Sequence, residues 1–126
     1  MTQAAVQIDE LFEYKHLTID WREMQAFVDR QPMHLTPLEF KLLSLLVRKR
    51  GWVVTFAQAL TEVWGPAYAA DRANLKLYIW YLRRKIERDP SKPELIVTRR
   101  GMGYISAHAR PLPPEYYLDV PQTHNL

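Results

Sequence analysis

The sequence predicts an α+β fold in which a small antiparallel sheet is followed by three helices and a closing β-hairpin. Three observations carry this reading. Short runs of strand-forming residues between turn-forming groups fill the chain up to about residue 35. Helix-start signals follow at Thr36, Thr55 and Asp71, each with a residue three positions on that suits the first turn. Two further strand-like runs then flank the glycine-rich turn Arg100-Gly101-Met102-Gly103.

The first sheet is assigned to Phe12 to Tyr14, Leu17 to Asp20, Gln25 to Val28 and Met33 to Leu35, with Asp29, Arg30, Gln31 and Pro32 among the separating turn groups. In Thr36-Pro37-Leu38-Glu39 the threonine hydroxyl caps a helix, and proline takes the first turn, where no amide donor is needed. Glu39 reaches back to the Thr36 amide. Leu38, Leu42, Leu45 and Leu46 fall on one face of that helix. It stops at Gly51, after the cations Arg48, Lys49 and Arg50. Thr55 with Gln58 opens a second, short helix that runs to about Trp64 before Gly65-Pro66 breaks it. Gly65, Pro66, Ala67, Tyr68, Ala69 and Ala70 form a connecting loop. The third and longest helix runs from Asp71 to near Asp89-Pro90. Leu75, Ile79, Leu82 and Ile86 form its buried edge. The opposite side carries Ala73, Leu77, Trp80, Tyr81, Arg84 and Arg88, flanked by Lys76, Arg83 and Glu87. Leu95 to Arg99 and Tyr104 to Ser106 close the fold as a hairpin in which glycine permits positive φ.

At 126 residues and 48% hydrophobic composition, the chain has room for one core. We divide it into a flexible N-terminal segment (1–11), one folded domain (12–107) and a Pro-rich, extended or disordered tail (108–126). Pro111, Pro113, Pro114 and Pro121 disfavour regular structure in the tail, whose Tyr116, Tyr117 and Leu118 are alternatively read as docking on the domain or a partner. No run of about 18 apolar residues is present, and the N-terminus MTQAAVQIDELFEY is acidic and amphipathic. The expectation is a soluble, cytoplasmic protein without a membrane partner. The absence of cysteine excludes disulfides and thiol chemistry, and His16, His34, His108 and His124 are widely separated, so neither metal nor cofactor is expected. No Gly-rich phosphate loop or activated nucleophile suggests an enzyme.

Charge is distributed unevenly. Residues 72–100 hold nine Lys or Arg against three Asp or Glu, a net of +6, whereas the rest of the chain holds eight against eleven, a net of −3. Positive charge gathered on one helix and the adjoining hairpin suits a phosphate backbone, because neutralising phosphates releases condensed counterions. The same cations, Lys76, Arg83, Arg84, Lys85 and Arg88, also read as the solvated face of a surface helix. Likewise Trp80 and Tyr81 become core residues if the helical phase is shifted by one position, and Arg99 and Arg100 read as exposed strand residues.

The combination of LTPLEFKLL, VWGPAY, LRRKIERDPSKP and TRRGMGY, in this order over residues 12 to 107, resembles the winged helix-turn-helix effector domain of OmpR/PhoB-family response regulators. Within that family the loop WGPAY and the helix NLKLYIWYLRRK look most similar to the KdpE branch. The resemblance implies a transcription regulator that binds double-stranded DNA in bacterial cytoplasm, as head-to-tail pairs on direct repeats. The third helix, about residues 71–89, would enter the major groove, and the wing, about 95–106, the adjacent minor groove. Carried over by position, Asn74, Lys76, Leu77 and Tyr81 face bases. Trp64, Tyr78, Trp80, Arg83 and Arg84 contact the backbone, and Thr98, Arg99 and Arg100 act from the wing. The loop Gly65 to Ala70 is implied to meet RNA polymerase. Relatives carry an N-terminal receiver domain, for which this chain has no room, so the expectation is an effector half or a stand-alone relative.

Departures from the family pattern matter. Phe56 stands where many relatives have arginine, and Trp80 and Tyr81 stand where many have basic residues. Losing a bidentate arginine removes guanine readout of about 1 to 3 kcal/mol per good pair. Preference is then expected to rest on thymine-methyl contacts from Leu77 or Tyr81, on Lys76 and on DNA shape. The competing function is a winged-helix protein-interaction module with weak, sequence-indifferent DNA binding.

Overall fold

A computed structural model describes residues 11–49 and 51–106. Residues 1–10, Arg50 and the Pro-rich tail assigned above lie outside the described residues, whereas Leu11, assigned above to the flexible N-terminal segment, is paired with Asp20 as the first residue of a strand.

Tight turns set the register of the first sheet. Strands β1 (Leu11–Tyr14), β2 (Leu17–Asp20), β3 (Gln25–Val28) and β4 (Gln31–Met33) pair antiparallel in chain order. Tyr14 pairs with Leu17 and Val28 with Gln31, so only Lys15-His16 and Asp29-Arg30 turn the chain. Both residues of the second turn have positive φ, 51° and 67°, the geometry that matches strand twist in a two-residue hairpin. The fourth strand therefore begins earlier than Met33 and includes Pro32. Its missing N–H is tolerated because β4 is the outer strand.

Helix α1 (Pro37–Arg48) starts at the reciprocal cap expected from its sequence. Thr36 Oγ1 accepts the Glu39 amide at 3.3 Å, and Glu39 Oε1 accepts the Thr36 amide at 2.9 Å. Its buried face is rotated from the leucine stripe read above: Phe40, Leu42, Leu43, Leu46 and Val47 are buried, while Leu38 and Leu45 are half-buried flanks. Trp21 meets Phe40 edge-on and carries the Arg48 guanidinium 4.0 Å over its ring, tying α1 to the sheet.

Strand β5 (Val54–Thr55) was not anticipated, since two residues carry no periodicity. It pairs with β7 (Gly103–Ser106), which pairs in turn with β6 (Ile96–Arg99), in the order β5-β7-β6. Gly103 belongs to this sheet rather than to the turn. A Cβ there would collide with the Val54 carbonyl oxygen and lie 2.8 Å from Thr55 Cα, so its role is close approach, whereas Gly101 supplies the positive φ of 76°.

Helix α2 (Phe56–Val63) is capped by Thr55 Oγ1, which accepts the Gln58 amide at 3.1 Å. A 3-10 turn at Pro66–Tyr68 organises the following loop, and Gly65 enters it at φ 117°. Helix α3 (Arg72–Ile86) is capped by Asp71, whose carboxylate accepts the Asn74 amide at 3.3 Å. It ends at Ile86, short of Asp89-Pro90, because Glu87 turns extended and its buried carboxylate accepts the amides of Glu94, Leu95 and Ile96 at 2.7 to 3.0 Å. Glu87 is thus an interior anchor rather than a flank of the outer face.

All three helices and both sheets close on one core. Ile19, Leu42, Leu60, Leu75, Leu82 and Ile86 are each fully buried in it. Among the described residues, no helix is long and apolar enough to cross a membrane, and no cluster of three or more His, Asp or Glu could hold a metal ion.

Candidate nucleic-acid interface

Helix α3 is sealed on one edge and open on the other. Leu75, Ile79, Leu82 and Ile86 are buried to 1% exposure or less, in keeping with their 4-3-4 spacing. Opposite them Leu77 is 44% and Trp80 52% exposed, with Lys76 and Arg84 beside them. The helical phase is therefore as first read: Trp80 lies outside the core, and Tyr81 is half-buried.

Aromatic rings stiffen this surface. Trp64, at the end of α2, meets Tyr78 edge-on at 5.1 Å, Tyr78 meets Tyr81 at 5.4 Å, and Tyr81 meets Trp80 at 5.6 Å. Trp64 and Tyr78 are the half-buried end of this ladder, packed against the core, and Trp80 is the exposed end. The Arg84 guanidinium lies 4.7 Å over the Trp80 ring, a cation–π contact that holds the cation on an exposed side chain. Asn74 is half-buried in the first turn of α3.

The cations of this region divide sharply. Arg83 turns onto the hairpin: its Nε and Nη2 donate to the Ile96 carbonyl at 3.1 and 2.8 Å, and Nη2 donates to Thr98 Oγ1 at 2.9 Å. Burial pushes its pKa down, opposed by neighbouring Tyr104 and Glu87. Lys85 donates to buried Glu39 at 2.6 Å, and Arg88 pairs with Asp29 at 2.7 Å. Arg83 and Lys85 hold α3 to the hairpin and to α1, and Arg88, just beyond its end, ties the chain to the turn between β3 and β4. Arg84 and Arg100 are exposed, and Arg99 is half-buried.

Tyr104 anchors the hairpin from below. Its ring is buried, edge-on to Phe56 at 5.8 Å, and burial raises its phenol pKa against the opposing pull of Arg83. The turn above it presents Met102 at 50% exposure. The loop from Gly65 to Ala70 follows α2 and packs against it. Hydrogen bonds from the Tyr68 amide to Gly65 and from the Ala69 amide to Pro66 hold its shape, and Tyr68 is 46% exposed.

Arg72 was not singled out in the sequence. It is exposed at the first turn of α3, and its guanidinium stacks 4.4 Å over the Phe56 ring. Its sequence signal was weak, since one arginine beside a helix cap is commonplace, and the ring it meets is sixteen positions away.

Comparison with known proteins agrees with this geometry. Residues 30–106 match the family "Transcriptional regulatory protein, C terminal". The chain is 41% identical over 102 residues to the transcriptional regulatory protein KdpE of Mycobacterium tuberculosis, covering 80% of this chain and 45% of that protein. It is 36% identical over 96 residues to the KDP operon regulator KdpE of Escherichia coli, covering 76% and 43%. The chain thus spans just under half the length of these relatives. Among solved structures, the response regulator DrrB of Thermotoga maritima, an OmpR/PhoB homologue, superposes with a TM-score of 0.71 at 27% identity, covering 83% of this chain and 49% of that one. The DNA-binding domain of CpxR from Escherichia coli superposes with a TM-score of 0.63 at 31% identity, covering 79% and 98%.

Proposed function

Because this chain belongs to the family of transcriptional regulatory protein C-terminal domains, the OmpR/PhoB-type effector domains, we propose that it binds double-stranded DNA with α3 in the major groove and the β6–β7 hairpin over the adjacent minor groove. The observation that carries this reading is the open face of α3, where Lys76, Leu77, Trp80 and Arg84 stand outward from a helix whose other edge is fully sealed. An α-helix fits the major groove, where each base pair shows a distinct donor and acceptor pattern.

Roles follow from position. Lys76, Leu77 and Tyr81, with Asn74 at the helix start, are the base-facing set. Leu77 suits a thymine methyl, and Lys76 a guanine edge. Arg84, held on Trp80, and the wing residues Arg99 and Arg100 take phosphates, while Trp64, Tyr78 and Trp80 wall the backbone channel. Arg83 and Thr98 act chiefly through each other, by fixing the wing to α3. Phosphate contacts would set register and base contacts the preference.

A second surface is the hydrogen-bonded loop Gly65 to Ala70, which carries the exposed Tyr68. We read it as a protein-binding site for RNA polymerase, separate in sequence from the α3 face and the wing. Tyr68→Ala is expected to leave DNA affinity unchanged while lowering transcription in a reconstituted assay; a loss of DNA affinity would reassign the residue.

Affinity selection from a random duplex library at ~150 mM salt, where non-specific electrostatic binding is partly suppressed, tests the main reading. Recovery of direct half-sites spaced by about one helical turn supports paired, head-to-tail binding of DNA. Recovery of no motif by folded protein would move the weight to a protein-interaction module.

A further inference from the structure

Arg72 lies where three elements meet. Phe56, whose ring carries its guanidinium, is the first residue of α2; its amide donates to the Met102 carbonyl of the wing turn at 3.3 Å, and its ring abuts Tyr104. The ring is therefore fixed from the wing side, and so is the cation stacked on it. On a 100° wheel Arg72 falls about 20° from Arg83, on the flank of α3 that faces the hairpin.

The charge is not used within the fold. Among the described residues no carboxylate pairs with Arg72, whereas Arg83, Lys85 and Arg88 are all committed to internal partners. The Asp71 carboxylate beside it is engaged with the Asn74 amide. A cation in the first turn of a helix also opposes the positive end of the helix dipole. An arginine that is exposed, pre-oriented by an aromatic ring and electrostatically unfavourable to its own helix is arranged for an external anion. A guanidinium is a planar fork of N–H donors whose spacing matches two oxygens of one phosphate, and here it is held 4.4 Å over a ring on an exposed side chain.

We infer that Arg72, positioned by Phe56, binds a DNA backbone phosphate at the junction of α3 and the wing. This rests on the DNA-binding reading above. The site adds a cation that the charge pattern alone did not distinguish from its neighbours, and it makes Phe56 a positioning residue rather than only a packing one.

The test is a titration of the whole chain with a selected duplex and with an unrelated duplex across a salt series, comparing wild type, Arg72→Ala, Arg72→Lys, Phe56→Leu and Arg84→Ala. Arg72→Ala is expected to weaken binding to both duplexes and to flatten the logarithmic salt slope by about 0.9, the contribution of one phosphate to B-DNA binding. Arg72→Lys restores the slope but not the full affinity. Phe56→Leu retains the slope, because the charge remains, yet lowers affinity for both duplexes, with thermal melting run alongside to confirm folding. If Arg84→Ala flattens the slope and Arg72→Ala changes neither slope nor affinity, the inference is overturned while DNA binding stands. A loss confined to the selected duplex would also overturn it, by making Arg72 a base contact. Wild-type protein with no salt-dependent binding at all would instead overturn the reading on which the inference rests.

Discussion

Arg83 and Arg84 are adjacent in sequence, and replacing them one at a time separates a cation that holds the fold from one that faces outward. Arg83 donates two hydrogen bonds to the Ile96 carbonyl and one to Thr98, and Ile96 is buried. Removing the guanidinium leaves that carbonyl without its donor, a cost of about 1 to 3 kcal/mol. Arg83→Met keeps most of the side-chain stem, so the change reports the lost charge and donors rather than lost packing. A central value of ~2 kcal/mol corresponds to a fall in melting temperature of about 8 to 16 °C for a domain of this size. Arg84 is exposed and stacked on Trp80, so Arg84→Ala is expected to change stability by no more than about 0.5 kcal/mol. It should remove about 0.9 from the salt slope of DNA binding, so that roughly 3.5-fold less affinity is lost between 50 and 200 mM salt. Thermal melts and a salt-series titration on both variants decide the matter. If Arg83→Met melts like wild type and loses a full unit of slope, Arg83 is a phosphate ligand and its contacts to the hairpin are incidental.

Three further outcomes follow from single contacts. Gly103→Ala places a Cβ against the Val54 carbonyl and must part β5 from β7, a cost of about 1 to 3 kcal/mol or more; a variant as stable as wild type would mean that the strand yields freely. Glu87→Ala strips three backbone amides of their acceptor, two of them on the buried residues Leu95 and Ile96, and is expected to be at least as destabilising as Arg83→Met; hydrogen exchange at those amides should accelerate, and unchanged protection would refute the anchor. Tyr104 has a folded pKa raised by burial, so its contribution is fully present below the ordinary tyrosine value of about 10 and declines as pH rises toward the folded one. Ultraviolet titration of wild type against Tyr104→Phe should show a late-titrating component that the substitution removes, and a difference with no late component would contradict the buried phenol.

The features legible in the sequence are those that local physics decides. The caps at Thr36, Thr55 and Asp71 each need only a residue three positions away, and all three form. The buried edge of α3 needs only its own periodicity, and it fixed the outward direction of Trp80 correctly. What was missed depends on partners brought from elsewhere. The end of α3 is set by Glu87 meeting a strand that has yet to form. Strand β5 exists because β7 arrives beside it, and the same approach explains Gly103. Pro32 lies in a strand because Asp29-Arg30 closes the turn in two residues, which the polar composition of the whole stretch concealed. On the functional surface, counting cations could not tell Arg83 from Arg84, nor mark Arg72, since the distinction lies in Ile96, Trp80 and Phe56.

That distinction limits how strongly this segment can grip DNA. Nine basic residues lie between Arg72 and Arg100, and if each neutralised one phosphate the salt slope per chain would approach about −8. Arg83, Lys85 and Arg88 are engaged with Ile96 and Thr98, Glu39 and Asp29. Six remain, so the segment's share of the slope should be no steeper than about −5.4. The partners also differ in what they cost to lose. Glu39 is buried and completes the cap of α1, so Lys85→Ala should lower stability, whereas the exposed Arg88–Asp29 pair should contribute about 0 to 1 kcal/mol. Neither substitution is expected to alter the slope. A slope that flattens in Lys85→Ala or Arg88→Ala, with the protein folded, would show that these pairs open on DNA and hand their cations to phosphates. The internal bridges would then be a reserve of charge released by binding rather than struts of the fold.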